Sequence, residues 1–164
     1  MRWTAPSNGL YKINFDVALF TILDRAGIGV IIRHCKDLVM ASFSHSISPP
    51  LTVLETETMA AARALEFAQE LGLDSTILEG DCEVLTNSLK EDSLHLASFG
   101  LLMKDIKAIA ESFQYISSSH VCRECNMAAH KLTKHACYVT YFLIWIEYVP
   151  SHTLIVYQEN MPID

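Results

Sequence analysis

The stretch LYKINFDVA, residues 10–18, decides the fold. From Tyr11 onward, apolar side chains at odd positions alternate with polar or small side chains at even positions. This period of two is typical of a β-strand that buries one of its faces. The pattern therefore predicts a first strand, with the acidic residue Asp16 near its end.

Two further strands are predicted directly after the first one. Residues 27–34 and 38–46 are both rich in apolar and β-branched side chains. The polar stretch Cys35-Lys36-Asp37 between them is short enough for a hairpin turn. The chain is thus expected to open with three consecutive antiparallel strands.

A long helix is predicted over residues 52–71. Its apolar positions, beginning with Leu54, fall on one helical face, and Gly72 is well placed to end the helix. Glu57 lies on the same apolar face, three residues after Leu54. A carboxylate in that position loses its hydration unless a hydrogen bond, a charged partner or a cation compensates.

The second half of the chain continues with alternating strands and helices. A short apolar run leads into Gly80-Asp81, which places Asp81 at the carboxyl edge of a strand, where ligands gather in α/β sheets. Asn126 is expected to cap the last helix through its side chain. The predicted elements are a strand over 75–79, helices over 83–89 and 99–113, a strand over 114–121 and a helix that opens near residue 126.

The length and composition fit one α/β domain. A chain of 164 residues with 51% hydrophobic residues can bury a sizeable core. We expect a linker or cut edge at residues 1–9, the domain at 10–150 and a C-terminal tail at 151–164.

The charge balance limits how the chain can hold nucleic acid. Twelve Lys and Arg residues stand against 19 Asp and Glu residues, which gives a net charge of −7. Proteins that bind nucleic acid by phosphate neutralisation alone are usually basic. Binding would therefore require metal ions or a local basic patch.

The cysteines and the apolar segments indicate the compartment. Five cysteines, an odd number, do not fit the paired framework of a small secreted scaffold, so we expect reduced thiols in a cytoplasmic or nuclear protein. The most apolar late stretch, residues 138–149, is too short to span a bilayer and contains Glu147. No membrane partner is expected.

Asp16, Glu57 and Asp81 gain meaning in combination. Individually, Asp16 could be a solvated turn residue, Glu57 could reach water from the edge of its helical face, and Asp81 could cap the next helix. Together, acids on the first strand, the first long helix and the next strand could converge at one side of a sheet. Like charges repel there unless divalent cations neutralise them, so the trio is a candidate magnesium site.

The ordered motifs resemble the ribonuclease H-like domains of plant retroelement-derived, reverse-transcriptase-like proteins, within the type 1 ribonuclease H superfamily. The resemblance runs through nearly the whole chain. It is carried by these blocks: WTAP at 3–6, KINFD at 12–16, AGIGVIIR at 26–33, ETMA at 57–60, EGD at 79–81, HVCRECN at 120–126, AHKL at 129–132 and IWIE at 144–147.

The resemblance implies a five-stranded mixed sheet flanked by helices and a hydrolase that acts on nucleic acid. The implied activity is endonucleolytic cleavage of the RNA strand of RNA–DNA hybrids with two Mg²⁺ or Mn²⁺ ions. Asp16, Glu57 and Asp81 match the family's first three metal-binding acids, and His130 stands at the fourth catalytic position. The resemblance also implies an upstream reverse transcriptase region in a parent polyprotein.

Two departures from the family pattern bear on activity. His130 replaces the fourth acid and is a softer, neutral ligand at pH 7, although the plant branch commonly has this His. Val17 replaces the glycine that usually follows the first Asp and adds a β-branched side chain near the expected site. The alternative function is therefore a catalytically silent domain that acts as a nucleic-acid-binding or interaction module.

A zinc site is the competing interpretation of the last motif. Cys122, Cys125, His130 and His135 have the spacing C-x2-C-x4-H-x4-H, which is one ligand away from that of retroviral zinc knuckles. A knuckle needs glycines for its turns, whereas the residues after Asn126 favour a helix. Small buried hydrophobic roles are therefore preferred for the two cysteines, and an exposed helix position is preferred for His135.

Overall fold

A computed structural model describes residues 2–50, 52–90 and 98–151 of the chain. Short 3-10 turns cover Thr21–Leu23, Arg123–Asn126 and Ala136–Tyr138. The helices and strands, in chain order, are β1 (Tyr11–Phe20), β2 (Arg25–His34), β3 (Val39–Ile47), α1 (Val53–Glu70), β4 (Ser75–Gly80), α2 (Glu83–Lys90), α3 (Ser98–Ala110), β5 (Tyr115–His120), α4 (Met127–His135) and β6 (Phe142–Ile146).

The strands form one mixed sheet in the order β5-β4-β1-β2-β3-β6. β1 pairs antiparallel with β2, and β2 with β3, which confirms the predicted antiparallel opening. β4 lies parallel to both β1 and β5. The sheet has six strands and not the five that were expected, because β6 adds to the far edge by antiparallel pairing with β3.

Local sequence signals set the ends of α1 and of the β2–β3 hairpin. Thr52 and Glu55 form a capping box, in which each side chain accepts a hydrogen bond from the other residue's backbone N–H. Gly72 follows the helix with φ +74°, so the predicted stop is confirmed. In the hairpin, Asp37 has φ +58° and its N–H donates to the His34 carbonyl.

The two faces of the sheet are covered by different helices. The larger apolar cluster joins β1, β2 and β3 to α1 and α3, with Phe15, Phe43 and Leu65 among its buried members. A smaller cluster on the other face packs Leu132 of α4 against Ile31 of β2. The sheet is therefore buried on both sides, as in a three-layer α/β domain.

Glycines let α4 approach the sheet closely. A Cβ atom on Gly29 would lie 2.4 Å from the Ala129 carbonyl oxygen, and one on Gly27 would lie 2.4 Å from the Thr133 carbonyl oxygen. Neither distance leaves room for a methyl group beside the α4 backbone. These two positions thus set the distance between β2 and α4.

The N-terminal residues pack on the domain. Trp3 is 3% exposed, and its ring nitrogen donates a hydrogen bond to the Asn14 side chain at 3.0 Å. The Arg33 guanidinium stacks over the Trp3 ring at 3.5 Å from its centroid. The expected linker at residues 1–9 does not describe Trp3, because an indole ring buried against β1 and β2 belongs to the folded body.

None of the helices in the described ranges combines the length and the apolarity that crossing a membrane requires.

Candidate metal centre

The three acidic residues lie at the point where β1 extends beyond the end of its neighbour β4. The register of these parallel strands ends at the pair Asn14 and Glu79. Asp16, two residues further along β1, therefore has no β4 residue beside it. Asp81 directly follows the end of β4, and Glu57 belongs to the first half of α1. The space beyond the end of β4 lets side chains from a strand, a loop and a helix meet.

The structure brings the three carboxylates together. One oxygen atom from each of Asp16, Glu57 and Asp81 lies within 4.8 Å of the other two. Asp16 is 3% exposed and Glu57 is 8% exposed. Within the described ranges, these residues are the group of His, Cys, Asp and Glu side chains whose ligand atoms converge closely enough to hold a metal ion.

The clustering shifts the protonation of two of the acids. Burial, and then the negative charges of Asp16 and Asp81, raise the pKa of Glu57 to about 8. Burial and the Asp81 carboxylate also raise the pKa of Asp16, while its hydrogen bond to His130 opposes the increase. Desolvation and like charge both disfavour the ionised forms of these acids. Without a compensating cation, the fully ionised centre is therefore electrostatically destabilised.

Glu57 provides a specific test of whether a metal fits. Its Oε2 atom is buried and has no hydrogen-bond partner. An unpartnered buried carboxylate oxygen is costly, and a cation beside it would supply the missing interaction. Three carboxylates are hard oxygen donors, which Mg²⁺ and Mn²⁺ prefer. The residues present therefore fit a divalent ion of this class.

His130 joins the centre through Asp16. The Nδ1 atom of His130 lies 2.7 Å from Oδ2 of Asp16, and the two residues are 114 positions apart. An ionised carboxylate only accepts hydrogen bonds, so the imidazole is the donor in this contact. The predicted fourth position thus holds Asp16 in place by a hydrogen bond, in contrast to the negative ligand atom that an acid would offer.

Asn126 supports the same strand in a way that the sequence did not indicate. Its Nδ2 atom donates a hydrogen bond to the Phe15 carbonyl oxygen at 2.8 Å, one residue before Asp16. The prediction that the Asn126 side chain caps α4 is wrong, because it makes no capping hydrogen bond. Its position in the HVCRECN block was the only sequence signal.

Val17 belongs to the main apolar cluster and is 9% exposed. Successive strand residues face opposite sides of a sheet, so Val17 faces away from the side that carries Asp16. The β-branched side chain is therefore absorbed by the core.

The zinc interpretation of the last motif does not agree with the structure. Cys122 and Cys125 are adjacent, but His130 contacts Asp16. His135 packs its ring at 5.5 Å from the Trp145 ring. In the part of the chain that the structure describes, these four side chains do not converge into a metal-ligand group.

Comparison with solved structures shows the fold. Ribonuclease H1 from the archaeon Halobacterium salinarum superposes with a TM-score of 0.71 at 22% identity, over 79% of this chain and 98% of that one. A ribonuclease H1 isolated from compost, solved with an RNA/DNA hybrid, gives 0.68 at 24% identity, over 77% and 95%. The foamy virus protease-reverse transcriptase gives 0.61 at 15% identity, over 80% of this chain but 21% of that one.

Comparison of sequences shows the family. No curated protein matches the chain. The profile described as reverse transcriptase-like matches residues 14–136, which include Asp16, Glu57, Asp81 and His130. The match covers well over half of the chain and agrees with the likeness to solved ribonucleases H. The chain therefore belongs to the reverse transcriptase-like family and is a ribonuclease H-like domain.

Proposed function

We propose that the chain is a ribonuclease H-type endonuclease that cleaves the RNA strand of RNA–DNA hybrids with two divalent metal ions. The observation that carries this proposal is the convergence of carboxylate oxygens of Asp16, Glu57 and Asp81 within 4.8 Å, with Asp16 and Glu57 buried and Asp81 partly exposed. A fold alone does not define an activity, but a site of this chemistry on this fold supports hydrolysis of a phosphodiester.

The three acids would hold Mg²⁺ or Mn²⁺. Such ions, when bound, lower the pKa of an attacking water and offset the charge that develops on the phosphate and the leaving oxygen. Glu57 must give up its proton to act as a ligand, and its raised pKa places that event near neutral pH. Asp16 contributes a carboxylate oxygen to the centre. Its Oδ2 atom accepts the His130 hydrogen bond.

The substrate and the origin of the chain are part of the proposal. The compost enzyme was solved with an RNA/DNA hybrid, which supports the same duplex as the substrate here. The likeness to one segment of a viral protease-reverse transcriptase supports descent from a retroelement polyprotein with an upstream reverse transcriptase region. We further propose the plant branch of the family and a cytoplasmic or nuclear location.

A cleavage assay tests the proposal. The full chain is incubated with a hybrid labelled on its RNA strand, in Mg²⁺ and separately in Mn²⁺. We expect cleavage that Asp81→Asn reduces at least about 100-fold, because removing a metal ligand removes transition-state stabilisation. Asp24→Asn is the matched control, since Asp24 is exposed and its left-handed backbone tolerates Asn. Undiminished cleavage by Asp81→Asn would show that the centre is not the active site.

A catalytically silent hybrid-binding module is the second candidate. It is favoured by one observation. His130 stands where the family pattern has a fourth acid, and its ring donates a hydrogen bond to Oδ2 of Asp16. The discriminating variant is His130→Asp. Cleavage that appears only in this variant would show that the scaffold is intact and that the wild-type chain is silent.

A further inference from the structure

Cys122 and Cys125 form a close pair of thiols outside the carboxylate centre. Both belong to the turn that leads from β5 into α4, and their Sγ atoms lie 3.3 Å apart. The Cys125 N–H donates to the Cys122 carbonyl at 3.0 Å, which fixes the turn in a conformation that keeps the two side chains side by side. Both cysteines are free thiols.

The two thiols differ in accessibility and acidity. Cys122 is partly exposed, whereas Cys125 is 6% exposed. Hydrogen bonds from the backbone and the side chain of Cys125 lower the pKa of Cys122. Burial, and then the Cys122 sulfur, raise the pKa of Cys125 to about 11. An accessible, acidic thiol beside a buried, weakly acidic one is the arrangement of an attacking and a resolving cysteine.

We propose that Cys122 and Cys125 are a redox-active pair that exchanges between dithiol and disulfide by reaction with low-molecular-weight disulfides of the glutathione type. The proposal is independent of the nuclease activity, since neither residue belongs to the carboxylate centre. The proposal places a reversible modification site in the turn between β5 and α4.

The reaction balances in two exchange steps. The Cys122 thiolate attacks one sulfur of the small disulfide, whose S–S bond breaks, and one small thiolate leaves with the electron pair. Cys125 then loses its proton and attacks the Cys122 sulfur, which breaks the mixed disulfide and releases the second small thiolate. Two protein thiols are thereby oxidised by two electrons, and one small disulfide is reduced to two thiols.

The other cysteines provide an internal comparison. Cys35, Cys82 and Cys137 are each partly exposed, as Cys122 is. Among the described residues, Cys122 and Cys125 are the sulfur atoms that contact each other. Accessibility alone would make Cys137 as reactive as Cys122, whereas a partnered thiolate would make Cys122 faster. The relative rates thus separate a built pair from general exposure.

The first experiment treats the full reduced chain with oxidised glutathione and measures its intact mass. We expect a product lighter than the dithiol by two hydrogens. Arg123 lies between the cysteines, so tryptic digestion without reductant should give two peptides joined through Cys122 and Cys125. Retention of both thiols, a linkage between other cysteines, or one zinc ion bound per chain through this pair would overturn the proposal.

The second experiment separates the roles of the two thiols. Cys125→Ser should accumulate glutathione on Cys122, because no second thiol is left to resolve the mixed disulfide. This reaction should be on the order of tenfold faster at Cys122 than at Cys137. Cys122→Ser should react slowly at the buried Cys125, and Cys137→Ser is the matched control that should form the disulfide as the wild type does. Equal rates at Cys122 and Cys137 would refute the pair. If a serine variant fails to fold, the peptide linkage in the wild type decides.

Discussion

At the residue scale, Glu57 explains why the site and the stability of the chain are linked. The residue is buried with an unpartnered oxygen, and two other carboxylates face it. Its placement was the strongest signal in the sequence, because a carboxylate on an apolar helical face demands compensation. Periodicity alone revealed that demand, but the identity of the neighbours depended on how the chain folds.

Glu57 makes the metal-free chain less stable as the pH rises. The folded state raises the pKa of Glu57 from 4.5 to about 8, so it binds a proton more tightly than the unfolded state does. The stabilising effect of that proton is therefore fully present below pH 4.5 and is lost as the pH rises to 8. In EDTA, we expect the Glu57 contribution to the unfolding free energy to fall across this window.

The matched variant is Glu57→Gln, which keeps the shape of the side chain and removes its titration. We expect it to be more stable than the wild type at pH 9 in EDTA by on the order of 5 kcal/mol, and nearly equal to it at pH 4. Urea unfolding at both pH values measures the difference. A pH-independent difference between the two proteins would contradict the raised pKa.

His130 is expected to act as a positioning residue for Asp16. His130→Ala removes the hydrogen bond at Oδ2, so Asp16 should lose its fixed orientation and its pKa should rise further. We expect cleavage to fall by about 10- to 100-fold, the range seen when a partner of a metal ligand is removed. If His130 has this role, His130→Asn should recover part of the rate at saturating metal, and the pH profile of His130→Ala should shift upward.

An unchanged pH profile in His130→Ala, whatever its rate, would mean that the imidazole does not act through Asp16.

The contact between His130 and Asp16 was not predictable from local sequence. It joins residues 114 positions apart, and only the family resemblance indicated that His130 belongs to the site. Asn126 illustrates the same limit. Asn is a favourable capping residue, but the Asn126 side chain donates its hydrogen bond to the Phe15 carbonyl of β1, which lies far away in the sequence.

At the element scale, the contact between β2 and α4 sets the position of His130. Gly29→Ala would place its Cβ atom 2.4 Å from the Ala129 carbonyl oxygen and 2.5 Å from the Thr133 nitrogen. Both are backbone atoms of α4, so the helix must move as a whole. We expect a loss of about 2 kcal/mol in stability and a weakened His130–Asp16 hydrogen bond.

Gly80→Ala is the matched comparison for Gly29→Ala. Its Cβ atom would meet the Phe15 ring at 2.6 Å, which is a side chain and not a helix backbone. Both variants should unfold at lower temperature, but only Gly29→Ala should change the NMR chemical shifts of the His130 ring protons. Identical chemical shifts of the His130 ring in Gly29→Ala and the wild type would show that α4 is not held by this contact.

The strands β1 to β5 and the helices were predictable because each has its own periodicity or end signal. β6 was missed for a physical reason. Its sequence FLIWI is a short continuous apolar run, which periodicity cannot assign to a strand or to a helix. Its status as a strand comes from pairing with β3, from Ala41 with Ile146 to His45 with Phe142, and that partner lies about a hundred residues earlier.

At the scale of the whole molecule, the net charge of −7 opposes contact with nucleic acid. At pH 9, where Glu57 is ionised, neutralising the centre by Asp16→Asn, Glu57→Gln and Asp81→Asn together should raise affinity for the hybrid in EDTA by about tenfold and should abolish the response of binding to Mg²⁺. Fluorescence anisotropy with a labelled hybrid measures both effects. The matched control removes the same charge from exposed positions by Asp24→Asn, Asp74→Asn and Glu111→Gln.

The control triple should keep its response to Mg²⁺. If both triples gain the same affinity and both still respond to Mg²⁺, the total charge and not the carboxylate centre governs binding.

The long separation between Asp16 and His130 also has a consequence in time. A chain emerges from the ribosome with its N-terminus first, so Asp16, Glu57 and Asp81 are all available before α4 is made. The acidic trio can gather on the first strands and α1, but its hydrogen-bonded support closes a loop of more than a hundred residues and forms late. We therefore expect the repulsion among the three carboxylates to be relieved early in folding by a proton on Glu57 or by a metal ion, before His130 can donate its hydrogen bond to Asp16.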